Sequence, residues 1–276
     1  MRIIIDLHTH SYYSDGALSP RVIVCRAINA GCNYLSLTDH DSVEGIEEAE
    51  KFAKTRNINF IKGVEISAKY NSQSIHIVGL GIDSNEKILL DGLQRNNQVR
   101  IERAKKISDG LRKVGIHGAY EKARVLSKTD YLTRTHFAQM LVKEEVCHNI
   151  SSVFKRYMTG KKPGSVSVEW SSTIDVIKWI HQAGGIAVLA HPHRYKMSLT
   201  KLRKLVRDLK MEGLDGIEIL NSFSKSKDIA IAKKIADENK LLYSCGSDFH
   251  GWPNQTIELG NIPKYDLGGN SVINFL

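Results

Sequence analysis

Histidine and carboxylate side chains recur in pairs separated by a single residue, a spacing that suits metal binding. His8 and His10 form one such pair near the start of the chain, and Asp248 and His250 form another near its end. On an extended segment, residues i and i+2 point to the same side, so both members of a pair can reach one ion. One pair alone is a weak signal, but its recurrence at two distant places indicates a metal site.

Further imidazoles and carboxylates follow, or lie within, short apolar runs that we predict to be strands. They are Asp15, His40, Glu65, His76 and His191. If these strands share a sheet or barrel, their carboxyl ends meet on one face, where active sites of parallel α/β folds lie. Packed imidazoles and carboxylates without cations would repel one another or take up protons. A donor set without cysteine suits zinc, manganese or iron, and we therefore predict a cluster of divalent ions.

Seven apolar runs rich in β-branched residues predict the strands that position these groups. They are Arg2–Leu7, Tyr34–Leu37, Asn59–Val64, Ser74–Gly79, Ile186–Ala190, Gly216–Leu220 and Leu241–Ser244. Their continuous apolarity favours strands buried on both faces, as in parallel sheets. Between them, Ser19 and Pro20 begin one predicted helix, and Ser172 with Asp175 fits a capping box at the start of another. The alternation predicts an α/β barrel or a doubly wound sheet.

The alternation stops in the middle of the chain, where Ala104, Ile107 and Leu111 form a helical stripe. Residues 92–165 carry 16 basic and 6 acidic residues, a net charge of +10, against +9 for the whole chain. Two interpretations stay open, a surface that meets phosphates and a solvated helical face. We predict two parts: a β/α domain formed by residues 1–91 and 166–276, and a basic, helical insertion over residues 92–165.

The composition excludes several classes of protein. With 42% hydrophobic and 25% charged residues, the chain is typical of soluble globular proteins and unlike disordered ones. No apolar run approaches the roughly 20 residues that cross a bilayer, and the N-terminus lacks a signal-peptide core. We expect a cytoplasmic protein with no membrane partner. The four cysteines form no C-x-x-C pair, which argues against a zinc ribbon.

The motifs around the predicted ligands resemble those of the PHP family of metal-dependent phosphoesterases. The matching segments are Asp6-Leu-His8-Thr-His10, Ser14-Asp15-Gly16, Thr38-Asp39-His40-Asp41, Gly63-Val-Glu65, Ala190-His191-Pro192 and Gly246-Ser-Asp248-Phe-His250. Within the family, the chain is most similar to the nucleoside-3′,5′-bisphosphate phosphatases and 5′→3′ exoribonucleases of the ribonuclease AM type. That similarity is carried by Arg134-Thr-His136-Phe-Ala, Lys155-Arg-Tyr157-Met and Gly246-Ser-Asp-Phe-His-Gly251.

The resemblance implies a distorted (β/α)7 barrel with a helical insertion and three divalent metal ions. We expect manganese, with zinc or iron as alternatives. The implied ligand sets are His8, His10, Glu65 and Asp248 for one ion, Glu65, His76 and His191 for a second, and Asp15, His40 and His250 for the third. These nine side chains are also the predicted catalytic residues, because they act through the metals.

The implied activity is removal of the 3′-phosphate from nucleoside 3′,5′-bisphosphates and, by the same chemistry, 5′→3′ exonucleolytic cleavage of 5′-phosphorylated RNA. A metal-bridging hydroxide would attack phosphorus and expel the ribose 3′-oxygen. Arg134 and His136 would anchor the 5′-phosphate, and Arg194 is a further candidate for phosphate binding. His193 stands where this branch typically has glycine, and it would protonate the leaving oxygen, narrow the pocket or point to solvent.

Two other functions stay open. A phosphatase for another small phosphomonoester, such as histidinol phosphate, would share the metal site without needing the basic insertion. A non-catalytic nucleic-acid-binding module would have a closed structural metal cluster, whereas this histidine-rich set favours an open site. The expected partners are nucleotides and 5′-phosphorylated RNA, with no obligate protein partner. Asp6, Asp39 and Asp41 either orient imidazoles or cap turns, and Glu218 is assigned no role.

Overall fold

The computed structural model describes residues 3–222, 224–253, 256–263 and 267–276. Within them, seven strands form one sheet in chain order. They are β1 (Ile5–Asp6), β2 (Tyr34–Leu37), β3 (Asn59–Tyr70), β4 (Gln73–Leu80), β5 (Ile186–Leu189), β6 (Gly216–Asn221) and β7 (Leu242–Gly246). Each predicted apolar run contains or overlaps one of these strands, although Arg2, where the first run begins, lies outside the described residues.

The sheet closes into a distorted barrel, which confirms the α/β fold class. The Leu7 amide donates to the Cys245 carbonyl at 3.0 Å, and the Asp248 amide donates to the His8 carbonyl at 2.8 Å. Apolar side chains such as Leu7, Leu80 and Val188 form one buried cluster of the sheet. Helices cover the barrel: α1 (Pro20–Asn29), α2 (Ile46–Lys54), α7 (Thr173–Gln182), α8 (Leu199–Met211) and α9 (Ser226–Glu238).

The expectation that all strands run parallel is wrong for β4. This strand is antiparallel to both β3 and β5, and it forms a hairpin with β3. Both hairpin strands are largely buried, so their sequences show the same continuous apolarity as a parallel strand. Consequently, Glu65 lies within β3 instead of after it. The start of β4 brings His76 back to the barrel end where the parallel strands finish.

The chain between β4 and α7 builds a hydrophobic cluster of its own, which contains the fully buried Phe137. Its helical elements are α3 (Lys87–Arg112), α4 (Ala119–Arg124), α5 (Arg134–Lys143), α6 (Ile150–Val153) and a π-helical turn (Phe154–Met158). The predicted stripe of Ala104, Ile107 and Leu111 faces this cluster. Helix α3 begins at Lys87, five residues before the predicted start of the insertion at residue 92. The division of the chain into a barrel and an insertion at residues 92 and 165 stays a prediction.

Both predicted helix starts lie where the sequence indicates. Ser19 caps α1 by accepting the Val22 amide at 3.2 Å, and Ser172 caps α7 by accepting the Asp175 amide at 3.2 Å. The second cap is not the predicted capping box, because the Ser172 hydroxyl donates to the Asp175 carboxylate at 2.7 Å instead. None of the helices in the described ranges is long and apolar enough to cross a membrane.

Candidate metal centre

The predicted ligands meet at the barrel end where the parallel strands finish. His8 and His10 follow β1, and His40 follows β2. The other predicted ligands are Asp15 in the loop after β1, Glu65 in β3, His76 in β4, His191 after β5, and Asp248 and His250 after β7. Parallel backbone bridges join Thr9 to Phe249 and His40 to Glu65. These bridges hold segments that are far apart in sequence at one place.

One group consists of His8, His10, Glu65 and Asp248, whose ligand atoms lie within 4.8 Å of one another. The His10 Nε2 atom is 3.1 Å from Asp248 Oδ1 and 3.3 Å from Glu65 Oε2. Even so, the Nε2 atoms of both histidines and Glu65 Oε2 are buried without a hydrogen-bond partner among the described residues. Buried polar atoms are rarely left unpaired, so their convergence indicates a site for a cation.

A second group contains His10, Asp15, His40 and His250, again with ligand atoms within 4.8 Å of one another. The His250 Nε2 atom lies 3.2 Å from Asp15 Oδ1, and this oxygen is buried without a hydrogen-bond partner in the described part of the chain. Three members match the set expected for the third ion. His10 belongs to both groups, so it lies between the two positions at which cations would bind.

Glu65 is the centre of the remaining contacts. Its Oε1 atom lies 2.8 Å from His76 Nδ1 and 2.9 Å from His191 Nε2, the two histidines expected to join it at the second ion. His40 and His76 also have ligand atoms within 4.8 Å of this carboxylate. The structure thus brings all nine predicted ligands together, while their division among individual ions stays a prediction.

Burial and opposite charge compete in setting the charge states of the cluster. Burial raises the pKa of the Asp15 and Glu65 carboxyls, but the surrounding imidazoles outweigh it and hold both values well below the usual range. Burial lowers the pKa of His10, but Asp248 and Glu65 outweigh it and raise the value to about 10. For His40, burial prevails and lowers the pKa to about 4. Anionic carboxylates beside crowded imidazoles are an arrangement in which cations can replace protons.

Glu218 in β6 orients two of the histidines, a role that the sequence analysis missed. Its Oε1 atom lies 2.7 Å from His8 Nδ1, and its Oε2 atom accepts the His191 backbone N–H at 2.6 Å. A carboxylate on one ring nitrogen fixes the tautomer and leaves the other nitrogen for a metal. The available signal was a buried acidic residue in the middle of an otherwise apolar strand.

Asp6, Asp39 and Asp41 mainly organise the loops around the cluster. Asp6 accepts the backbone amides of Ser247 and Gly260, and Asp41 pairs with a buried arginine, Arg100. Asp39 accepts the backbone amide of Ser11 and the hydroxyl groups of Ser11 and Ser14, and the Ser14 hydroxyl lies 3.4 Å from His10 Nδ1. Of the two roles left open, holding turns therefore describes these three aspartates better than direct contact with imidazoles.

A cavity of about 90 Å³ opens beside the cluster, and Asp15, His40 and His76 are among the residues that line it. Arginines of the helical segment, Arg100, Arg103 and Arg134, line the same cavity. Arg103 and Arg134 have no carboxylate partner among the described residues and lie over the rings of Trp170 and Phe154, respectively. Burial, together with Arg134 and Arg100, lowers the pKa of Arg103 to about 9. Crowded guanidinium groups, two of them without a carboxylate partner among the described residues, favour the binding of an anion.

The remaining residues predicted for the substrate have different surroundings. His136 is buried, and its Nδ1 atom accepts the Thr133 backbone N–H at 3.0 Å, so it caps α5. Arg194 forms an ion pair with Asp248. His193 is partly exposed, and its Nε2 atom is buried without a hydrogen-bond partner within the described ranges, so its three alternative roles stay predictions. Arg103 is a cavity residue that was not predicted from the sequence.

Known proteins share this architecture over nearly the whole chain. A 3′,5′-nucleoside bisphosphate phosphatase of Chromobacterium violaceum is 41% identical, in an alignment that covers 89% of this chain and 87% of the relative. A 5′-3′ exoribonuclease of Haemophilus influenzae is 43% identical, with 92% of each chain covered. A solved structure of a Chromobacterium violaceum amidohydrolase, with bound sulfate and no metal, superposes with a TM-score of 0.93 at 38% identity, covering 99% of this chain and 95% of that one.

The family assignment rests on the sequence as well as on these relatives. The model of the PHP domain matches residues 6–185, the part of the chain from β1 to the end of α7. That range contains six of the converging ligands, namely His8, His10, Asp15, His40, Glu65 and His76. The chain belongs to the PHP domain family.

Proposed function

We propose that this chain is a metal-dependent phosphoesterase that removes the 3′-phosphate of nucleoside 3′,5′-bisphosphates and cleaves 5′-phosphorylated RNA from its 5′ end. The observation that carries the proposal is that the ligand cluster and the arginines line the same cavity. A substrate with two phosphates can place one near the ligand cluster and the other near the arginines. The names of the relatives from Chromobacterium violaceum and Haemophilus influenzae describe these two activities.

The donor set fits three divalent cations, because its unpaired buried nitrogens and oxygens converge in overlapping groups. Manganese suits the mixture of imidazole and carboxylate, and zinc and iron are the alternatives. The proposed ligand sets are His8, His10, Glu65 and Asp248; Glu65, His76 and His191; and Asp15, His40 and His250. Bound cations would supply an activated water molecule and offset the charge of the reacting phosphate.

Arg103 and Arg134 are the proposed anchors for the 5′-phosphate. Each guanidinium offers a planar fork that suits phosphate oxygens, and neither has a carboxylate partner among the described residues. His136 supports this contact indirectly, because it caps the helix that begins at Arg134. Arg100 is already neutralised by Asp41, so it contributes to the positive field while holding α3 against the barrel.

The same anchoring explains how one site serves both substrates. The 5′ end of a phosphorylated RNA presents the same two phosphates as a nucleoside 3′,5′-bisphosphate, except that its 3′-phosphate continues into the chain. Cleavage releases a nucleoside 5′-monophosphate and leaves a new 5′-phosphate on the RNA, ready for the next cycle. Arg194, which pairs with Asp248, and His193 are proposed to lie on the side of the reacting phosphate.

Replacement of the anchoring arginines separates this function from that of a general phosphatase. In Arg134→Ala, we expect kcat/KM for adenosine 3′,5′-bisphosphate to fall about 10- to 100-fold, the value of one or two charged hydrogen bonds. Turnover of adenosine 3′-monophosphate, which lacks the anchored group, should change little. Arg124→Ala is the matched control, because this arginine of the same segment pairs with Asp130 at 3.0 Å. Equal loss on both substrates, or an intact enzyme indifferent to the 5′-phosphate, would contradict the proposal.

A further inference from the structure

The π-helical turn and the loop after it carry four exposed cations next to the arginine-lined cavity. These side chains, termed the basic platform, are Lys155, Arg156, Lys161 and Lys162. Phe154 begins the turn, lines the cavity and lies under the guanidinium of Arg134 at 5.5 Å. The first platform residue, Lys155, therefore directly follows a residue that contacts Arg134, a proposed anchor for the 5′-phosphate. The sequence motif around Lys155 and Tyr157 has no part in the function proposed so far.

The backbone that presents these cations is firmly held. Tyr157 and Met158 are buried in the hydrophobic cluster of the helical segment. The Gly164 amide donates to the Tyr157 carbonyl at 2.8 Å, so the loop returns onto the turn. A Cβ atom at Gly110 of α3 would lie 2.8 Å from the carbonyl carbon of Pro163, which shows how closely the loop packs on that helix. Single π-helical turns are rare and frequently occur at functional sites.

Several basic residues elsewhere on the helices are compensated by carboxylates, unlike those of the platform. Several helical lysines form ion pairs one turn apart, namely Lys51 with Glu47, Lys87 with Asp91, Lys204 with Asp208 and Lys233 with Asp237. Such pairs stabilise helices modestly. The four platform cations have no carboxylate partner in the described part of the chain. Uncompensated like charges on a fixed backbone disfavour folding slightly, which indicates a binding role.

We infer that the basic platform binds the phosphate backbone of the RNA beyond the nucleotide that is being removed. This inference rests on the proposed function and gives its RNA substrate a second contact surface. None of the four platform side chains lines the cavity where the arginines and the ligand cluster would hold a mononucleotide, so we expect a mononucleotide to bind without them. Lysine and arginine contacts to phosphates carry no sequence information, as an enzyme that removes successive nucleotides requires.

The test neutralises the platform and compares its effect on RNA binding with its effect on mononucleotide hydrolysis. The variant combines Lys155→Gln, Arg156→Gln, Lys161→Gln and Lys162→Gln. Binding is measured by fluorescence anisotropy at increasing KCl, with manganese-loaded protein and a 5′-phosphorylated oligoribonucleotide whose first linkage is a phosphorothioate that resists cleavage. We expect affinity to fall about 10-fold or more at low salt, and the slope of log K against log salt to become shallower by about 0.7 per lost contact.

Two controls separate a local contact from other effects. Hydrolysis of adenosine 3′,5′-bisphosphate by the platform variant should stay within about twofold of the intact protein, which also reports on folding. The second control has the same loss of charge at the opposite end of the barrel, through Arg207→Gln, Lys210→Gln, Lys234→Gln and Lys240→Gln. These exposed residues lie towards the ends of α8 and α9 or just before β7, away from the ligand cluster. RNA affinity of this control should change far less.

The inference is overturned if the platform variant binds RNA with unchanged affinity and salt slope, or if the control variant loses as much. It is also overturned if the four side chains affect binding to phosphatidylserine vesicles but not to RNA. Failure of the proposed function would look different: the intact protein would cleave neither substrate and yet bind RNA through the platform. In that case the binding surface stands and the assigned reaction does not.

Discussion

Glu218 contacts His8 Nδ1 and so leaves the Nε2 atom of that histidine available to a cation. Only the folded structure reveals this role, because the two residues are far apart in sequence. We expect Glu218→Ala to weaken manganese binding about 10- to 100-fold, as is typical when a carboxylate partner of a metal-binding histidine is lost. Phosphate release should recover largely at saturating manganese, because the ligands themselves remain. Metal titration monitored by activity and by calorimetry measures both effects.

The control for this prediction is a similar pair at the other end of the same strand. His181 Nε2 lies 2.8 Å from Asp215 Oδ2, just before β6 begins and far from the ligand cluster. Asp215→Ala also removes a carboxylate from a histidine, so it should alter stability without changing manganese affinity. An Asp215→Ala variant that lost manganese as Glu218→Ala does would refute the specific role of Glu218.

His136 makes the stability of the protein depend on pH. Burial lowers its pKa from 6.5 to about 4, so the folded state binds fewer protons than the unfolded state in this range. Its stabilising contribution is complete above pH about 6.5 and is lost as the pH falls towards about 4. Relative to His136→Gln, the free energy of unfolding should decrease by about 2 kcal/mol between pH 7 and pH 4.5.

Glutamine suits this comparison because it can accept the Thr133 backbone N–H as the imidazole does and thus preserves the capping box. Urea unfolding of both proteins at the two pH values gives the difference directly. If wild type and His136→Gln lose stability in parallel as the pH falls, His136 does not titrate in the way that its burial implies.

The residues of the site differ in how well their roles could be predicted from the sequence. The convergence of the nine predicted ligands could be foreseen because each lies in or after an apolar run and because the motifs around them resemble those of the PHP family. Arg103 could not, since it is one of many basic residues in its segment and only folding places it beside Trp170 and the cavity. Glu218 has an informative signal, an acid inside an apolar strand, but its partner is 210 residues away in sequence.

Among the elements, the contact between β1 and β7 positions the first two histidines. A Cβ atom at Gly246 would lie 2.6 Å from the backbone nitrogen of His8, so these two segments touch without space for a side chain. We expect Gly246→Ala to lower the free energy of unfolding by about 1–3 kcal/mol or more. It should also weaken manganese binding, because the backbone that carries His8 must shift. Thermal unfolding and metal titration measure the two effects.

Gly269 provides the matched control for this substitution. A Cβ atom there would meet nothing within 4 Å, and the residue lies in a short 3₁₀ turn away from the ligands. Gly269→Ala should therefore change stability by no more than about 0.5 kcal/mol. Equal stability of the Gly246→Ala and wild-type proteins would show that β1 and β7 separate easily, contrary to the packing described here.

The existence of the strands could be predicted more reliably than their directions. Burial on both faces gives every strand of the barrel an apolar sequence, and β4 has the same pattern although it runs antiparallel. The short connection between β3 and β4 was the available signal, because parallel strands need a longer crossover. The antiparallel direction matters for the site, because the hairpin pairs His76 with Ser67 and so brings its Nδ1 atom diagonally to within 2.8 Å of Glu65 Oε1.

At the scale of the whole molecule, the barrel supplies the ligand cluster and the helical segment supplies the arginines. The cavity is lined by residues from both sources, Asp15, His40 and His76 from the barrel and Arg103 and Arg134 from the helical segment. The charge asymmetry along the sequence allowed either a phosphate-binding segment or a solvated helical face, and it did not specify which of the 16 basic residues face the cavity. That selection depends on how α3 and α5 pack against the barrel.

Phosphate release from adenosine 3′,5′-bisphosphate by purified protein of measured metal content tests the proposed metal-dependent reaction. We predict that the protein binds more than one divalent ion per chain, and that release from the 3′ position requires these ions. Chelation should abolish release and manganese should restore it, whereas Asp248→Ala should prevent restoration. A protein that binds no divalent cation, or that releases phosphate equally well after chelation, would show that the reaction does not depend on a metal centre.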